Sequence, residues 1–201
     1  MSYPADSVAA VQSPQVRCAW AESAPEYVVY HDEEWGTPLR GDDALFERLC
    51  LEAFQSGLSW ITILRKRPAF RSAFAGFSID AVAEFGADDE ARLMADTGIV
   101  RNRAKIAAAI NNARAAQQQP EGLSDLLWSF TPDGERPRPA TLADVPATSP
   151  ESVAMAKELK RRGFVFVGPT TAYALMQATG MVDDHVADCF RAHPCSEPAR
   201  G

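Results

Sequence analysis

Apolar positions recur every three to four residues over most of this chain, which is the spacing of one helical face. In 42–57, DDALFERLCLEAFQSG, Leu45, Phe46, Leu49 and Ala53 follow it, behind two aspartates that suit a helix start and ahead of a Gly57 stop. The same pattern predicts short helices at 59–66, at 68–75 with Pro68 in a first turn, at 80–85 and at 88–96. A long Ala-rich helix follows at 101–118, with Ile106, Ala109, Ile110 and Ala113 on one stripe, and a shorter one at 122–130 ends before Pro132. The four prolines and polar residues of 131–149 predict a surface loop. Helices at 150–162 and 169–180 flank GFVFVG, and a last helix at 182–190 closes the fold. Only Phe164–Val167 alternates like a strand. The expected architecture is all-α, with one domain over 17–190, a flexible extension at 1–16 and a tail at 191–201.

Composition narrows the class. The 201 residues are 46% hydrophobic and 23% charged, and ten Phe and four Trp supply a core, so a largely disordered chain is excluded. No run approaches the ~18 apolar residues of a membrane span. The first sixteen residues hold neither a basic residue nor a long apolar run, so no secretory signal is expected. The expectation is a cytoplasmic protein with reduced thiols. A net charge of −7 argues against a uniformly basic nucleic-acid binder. Eleven of the twenty Lys and Arg nevertheless gather at 65–71, 101–105 and 157–162. Such clusters hold phosphates locally, because salt screens repulsion beyond about 8–10 Å; they also read as solvated helix faces.

Two pairs of metal-type residues stand out among four Cys and three His. His185 and Cys189, four apart, would share a helix face, and Cys18 and His31 lie near the start. Together they make a Cys2His2 set that suits a structural Zn²⁺ and leaves no open position for catalysis. His193 and Cys195 are rival ligands in the Pro-containing tail, and buried unliganded thiols and histidines are the plain alternative.

Glu52 lies three residues after Leu49 and seven after Leu45, on the apolar side of its helix. A buried carboxylate needs partners and often marks a functional site. Tyr27, Tyr30, Trp35 and Trp60 crowd the neighbouring sequence, and rings around one carboxylate suit a flat, cationic heterocycle. Core packing is the competing explanation for each ring. The stretch RRGFVFVGPTT (161–171) reads as a Gly-bounded hairpin between helices. Gly168 permits a tight turn, Pro169 opens the next helix, and Arg161, Arg162 and Gly163 precede it, a pattern that suits a sequence-independent phosphate contact.

These residues resemble the DNA-3-methyladenine glycosylase I family of the helix-hairpin-helix superfamily. The resemblance runs from about Arg17 to Cys189. CAW (18–20), YHDEEWG (30–36), LCLEAFQSGLSWITIL (49–64), GIVRNRAKI (98–106), LWSF (127–130), KRRGFVFVG (160–168) and DDHVADC (183–189) carry it. It implies an all-α enzyme that releases 3-methyladenine from alkylated duplex DNA, the first step of base excision repair. It also implies one structural zinc on Cys18, His31, His185 and Cys189, a clip from the N-terminal segment to the C-terminal helix. Glu52 and Tyr30 would then hydrogen-bond the base, Trp60 would stack on it, and Tyr27 and Trp35 would wall it, with Glu52 in the catalytic role. Gly57 and Leu58 would enter the duplex, with Arg161, Arg162, Gly163 and Gly168 on its backbone. No Lys is placed for a Schiff base, so a monofunctional, monomeric glycosylase is expected, and Asp183 and Asp184 are given no role. Ala53-Phe54 departs from the family pattern of small and amide residues. A zinc-stapled helical module that binds nucleic acid without catalysis is the alternative; a zinc hydrolase or deaminase would need a vacant metal position.

Overall fold

The structure is a computed structural model that describes residues 15–134 and 136–192. The chain turns once at Ala19–Ser23 and then forms α1 (Pro25–Glu33), α2 (Asp42–Gln55) and α3 (Trp60–Ala73). Next come α4 (Ile79–Ala83), α5 (Ala87–Ala95), α6 (Arg103–Gln117), α7 (Leu123–Trp128), α8 (Pro150–Arg161) and α9 (Pro169–Ala178). No strand occurs among the described residues.

α2 is the axis of the fold. Leu45, Phe46, Leu49, Cys50, Leu51 and Phe54 are buried around much of its circumference, against α3, α6, α7 and α9. A helix apolar on nearly all sides belongs inside a bundle, and its burial places Glu52 there with it. Asn102 caps α6 by accepting from Lys105 N, and Ser149 caps α8 by accepting from Ser152 N.

Two helix expectations are corrected and one helix, α1, went unpredicted. The helices expected at 59–66 and 68–75 are one helix, α3, with Pro68 inside. An interior Pro costs about 3 kcal/mol; Ile63, Leu64, Phe70 and Ala73, all buried on one face, hold the helix together through it. α1 escaped the pattern because it has no single apolar stripe: Tyr30 and His31 are adjacent, both buried, and aimed about 100° apart. The closing segment 182–190 is not a helix, so no C-terminal helix takes part in the clip. Asp183 accepts from His185 N at 3.1 Å, Ala187 N donates to Pro139 O at 3.0 Å, and Phe190 N donates to Val16 O at 2.8 Å. Its amides serve partners far away in sequence, so a helical ladder cannot form.

The 163–168 connection is irregular rather than stranded. Asn112 replaces a strand partner, accepting from Val165 N at 2.8 Å and donating to Val165 O at 3.0 Å. The loop 131–149 runs back across the molecule and brings Leu142 and Val145 to the wall of a cavity beside α2.

Candidate active site and metal centre

That cavity, about 400 Å³, is large enough for a purine. α1 supplies Tyr27 and Tyr30, α2 supplies Glu52 and Gln55, the first residue of α3 supplies Trp60, and Trp35 follows α1. All five side chains expected to form a base pocket therefore line one space. The Tyr27 hydroxyl accepts from Ile61 N at 2.8 Å, which pins the start of α3 where Trp60 stands. Tyr30 and Trp60 lie 5.5 Å apart, tilted by 46°.

Glu52 is only 5% exposed and makes no side-chain hydrogen bond among the described residues. Burial pushes its carboxyl up to about 7, against the pull of the Arg48 guanidinium. The Trp60 indole N–H is also buried without a partner. A native interior leaves few such groups. Of the two, the Glu52 carboxylate lines the cavity as an acceptor without a protein partner.

On the other side of α1, Cys18, His31, His185 and Cys189 bring four donor atoms within 4.8 Å of one another, all buried. Cys189 Sγ lies 3.3 Å from His31 Nε2 and 3.5 Å from His185 Nδ1, and Cys18 Sγ lies 3.7 Å from the same Nδ1. These are edges of a tetrahedron whose centre-to-ligand bonds are about 2.0–2.3 Å. His31 Nδ1 faces Asp32 Oδ1 at 2.8 Å, and Arg17 grips that carboxylate; His185 Nε2 faces Trp35 O at 3.3 Å. Each contact needs a proton on the outer nitrogen and so leaves the inner lone pair for a metal. Burial lowers both histidines, His185 to about 4, so they are in the neutral ligand form at pH 7. Gly36, at φ +75°, makes room for the second ring: a Cβ there would stand 2.8 Å from His185 Nε2. Donor set, geometry and outer contacts all fit a closed structural metal site.

The sequence matches the methyladenine glycosylase family over residues 20–192. The chain belongs to that family. It is 45% identical to DNA-3-methyladenine glycosylase 1 of Escherichia coli (strain K12) over 186 residues, 90% of this chain and 99% of the relative. It is 43% identical to DNA-3-methyladenine glycosylase of Haemophilus influenzae (strain ATCC 51907 / DSM 11121 / KW20 / Rd), covering 89% and 97%. A 3-methyladenine DNA glycosylase I from Staphylococcus aureus, solved to study its recognition of 3-methyladenine, superposes with a TM-score of 0.80 at 36% identity, covering 86% of this chain and 94% of that one.

Family membership leaves individual side chains to the geometry, and some went unremarked in the sequence. Trp20 lines the cavity and packs edge-on against both Trp35 (5.2 Å) and His31 (5.3 Å), forming a wall common to the two sites. Asp184 is buried at the cavity, accepting from Tyr173 Oη at 2.6 Å and Gln177 Nε2 at 2.8 Å. Lys105, counted above among the basic clusters, is buried: its Nζ donates to Phe54 O at 2.9 Å and Ser56 O at 2.6 Å, capping the end of α2. Gly57 (φ +80°) and Leu58, 41% exposed, follow that cap as a protruding turn. The hairpin at Gly163–Gly168 does not line the cavity. Beside it, Arg161 and Arg162 both pair with Glu158 at 2.7 Å, and Arg162 also pairs with Glu121. Arg161 is the more exposed of the two.

Proposed function

We propose that this chain is a DNA-3-methyladenine glycosylase that hydrolyses the N-glycosidic bond of 3-methyladenine in alkylated double-stranded DNA, opening base excision repair. The observation that carries the proposal is Glu52: a buried carboxylate without a protein partner, inside a cavity walled by Tyr27, Tyr30, Trp35 and Trp60. Methylation at N3 makes adenine cationic, which weakens its bond to the sugar and supplies the charge that a desolvated carboxylate attracts. The extruded base stacks on Trp60, while Glu52 and Tyr30 meet its polar edge. The C1′–N bond then breaks with its electrons passing to the base, which leaves neutral. Water adds to C1′ and gives its proton to solvent. Glu52 favours this course by holding the cationic base where the bond breaks, and ordinary adenine lacks the charge to earn that contact.

Zinc on Cys18, His31, His185 and Cys189 would cross-link the chain ends structurally, and four protein ligands leave it no place in the reaction. Gly57 and Leu58 fill the gap left by the extruded base, and Gly163, Gly168, Arg161 and Arg162 hold the backbone. One domain over 17–190, acting as a monomer in the cytoplasm, completes the proposal. Among the described residues no helix is long and apolar enough to cross a membrane.

Incubation with methylated duplex DNA and chromatography of the released bases tests this. The expected products are free 3-methyladenine and little 7-methylguanine. A folded, metal-loaded sample that releases neither base but still binds duplex DNA is instead the non-catalytic binding module.

A further inference from the structure

Arg48 is out of place beside a pocket for a cation. It stands one turn before Glu52 on α2 and is buried. Its Nη1 donates to the Tyr30 hydroxyl at 3.1 Å and its Nη2 to Glu34 at 3.3 Å. The guanidinium carbon lies 5.3 Å from the Tyr30 ring centroid and 5.8 Å from that of Trp60. Glu34 is gripped in turn by Arg67 of α3, Nη2 to Oε1 at 2.7 Å, so Arg48 is anchored at both ends of its fork.

A guanidinium has only donors. The Tyr30 oxygen must accept from it, and the Tyr30 proton is left for something else. Among the described residues no protein group accepts that proton. Tyr30 and Glu52 line the cavity together, so the edge they offer a base is one hydroxyl donor and one carboxylate acceptor. Adenine presents the complement, an accepting N7 and a donating N6 amino group, whereas guanine presents two acceptors, N7 and O6.

We propose that Arg48 is a positioning residue that fixes this polarity, turning Tyr30 into a donor beside the Glu52 acceptor, and so sets a preference for 3-methyladenine over 3-methylguanine. The proposal rests on the glycosylase function above. Arg48 acts on Glu52 from its own helix, and the titratable groups that line the cavity with Glu52 are Tyr27 and Tyr30 from α1 and Asp184 from the closing segment. Arg48 is the cation among them. Losing it raises the pH at which Glu52 takes up a proton, and a protonated Glu52 can donate to guanine O6. Both consequences of losing Arg48 therefore relax discrimination in the same direction.

The test compares the metal-loaded parent, Arg48→Met and Arg48→Lys on methylated duplex DNA, with 3-methyladenine and 3-methylguanine release followed from mildly acid to mildly alkaline pH. Arg48→Met is expected to lose about tenfold in 3-methyladenine release, as for one charged hydrogen bond. It should also narrow the adenine-to-guanine ratio and shift the acid limb of the pH profile upward. Arg48→Lys keeps the charge but cannot bridge both partners, so it should restore the acid limb and leave the ratio narrowed. A folded, metal-retaining Arg48→Met with parental ratio and acid limb overturns the proposal. Should Arg48→Met not fold, a parental ratio in Arg48→Lys overturns it equally. A parent that releases no base removes the glycosylase function itself, a different result from parental discrimination in a variant.

Discussion

α1 separates two sites built from neighbouring residues, and they treat polar atoms in opposite ways. On the His31 side, the outer ring nitrogens meet Asp32 and the Trp35 carbonyl, Arg17 supports Asp32, and Arg191 N approaches Cys189 Sγ at 3.4 Å. On the Tyr30 side, Glu52 and the Trp60 indole N–H are buried without protein partners. Trp20 and Trp35 stand between the two. A network whose outer contacts satisfy one another around four metal-type side chains serves the fold, whereas one that leaves a carboxylate desolvated gives up stability for a ligand. The pair teaches that the state of the outer contacts, more than burial, separates structural from functional clusters.

The sharpest break falls on the satisfied side. On the proposed zinc set, Cys189→Ala removes one of four ligands, so metal binding should be lost and stability should fall by about 4 kcal/mol. Metal analysis and thermal unfolding check this, with a drop of about 8–16 °C expected for a chain of this size. Chelation of the parent should move the melt in the same direction, and Glu52→Gln should retain the metal.

On the unsatisfied side, pH acts through Glu52. Its carboxyl sits at about 7, so the anion that binds a cationic base is fully present only above that pH. Release under kcat/KM conditions should fall about tenfold per unit as pH drops below 7, and a profile flat through that range would detach Glu52 from base selection.

Between the cavity and the Gly57–Leu58 turn stands Lys105. Lys105→Met removes the cap on Phe54 O and Ser56 O, and with it the fixed start of the Gly57–Leu58 turn. Excision from duplex DNA is expected to drop about tenfold, with free 3-methyladenine still quenching tryptophan fluorescence as in the parent. Equal loss of both would assign Lys105 to the cavity. Arg161→Ala should do least: its guanidinium is exposed and already paired with Glu158. Release should change little, and the salt dependence of duplex binding should shallow by about one charge.

What the sequence made legible follows from the same physics. α2, α6, α8 and α9 were readable because each buries a stripe that repeats at helical spacing. Glu52 was readable as an intruder on such a stripe. α1 was not, since its faces serve two sites instead of one core. Lys105 read as part of a basic cluster and Arg48 drew no reading at all, and only partners distant in sequence, the end of α2 for one and Glu34 for the other, reveal that they are buried. The closing segment failed for a related reason: Val182 and Val186 have helical spacing, but Asp183 turns the backbone between them. His185 and Cys189 still converge, held by tertiary contacts in place of a helix face.

Glu52→Gln tests the contrast most directly when thermal unfolding and base release are measured on the same sample. Burial raises the carboxyl from its ordinary 4.5 to about 7, so the fold prefers the protonated form. The group therefore costs stability above pH 7, less between 7 and 4.5, and nothing below. The variant should be more stable than the parent in alkaline buffer, by on the order of 3 kcal/mol, and equal to it in acid, while releasing 3-methyladenine at least about a hundredfold more slowly. A variant that melts below the parent in alkaline buffer, or that releases the base at the parental rate, would contradict the claim that this cavity is held open, at a cost to the fold, for a cationic base.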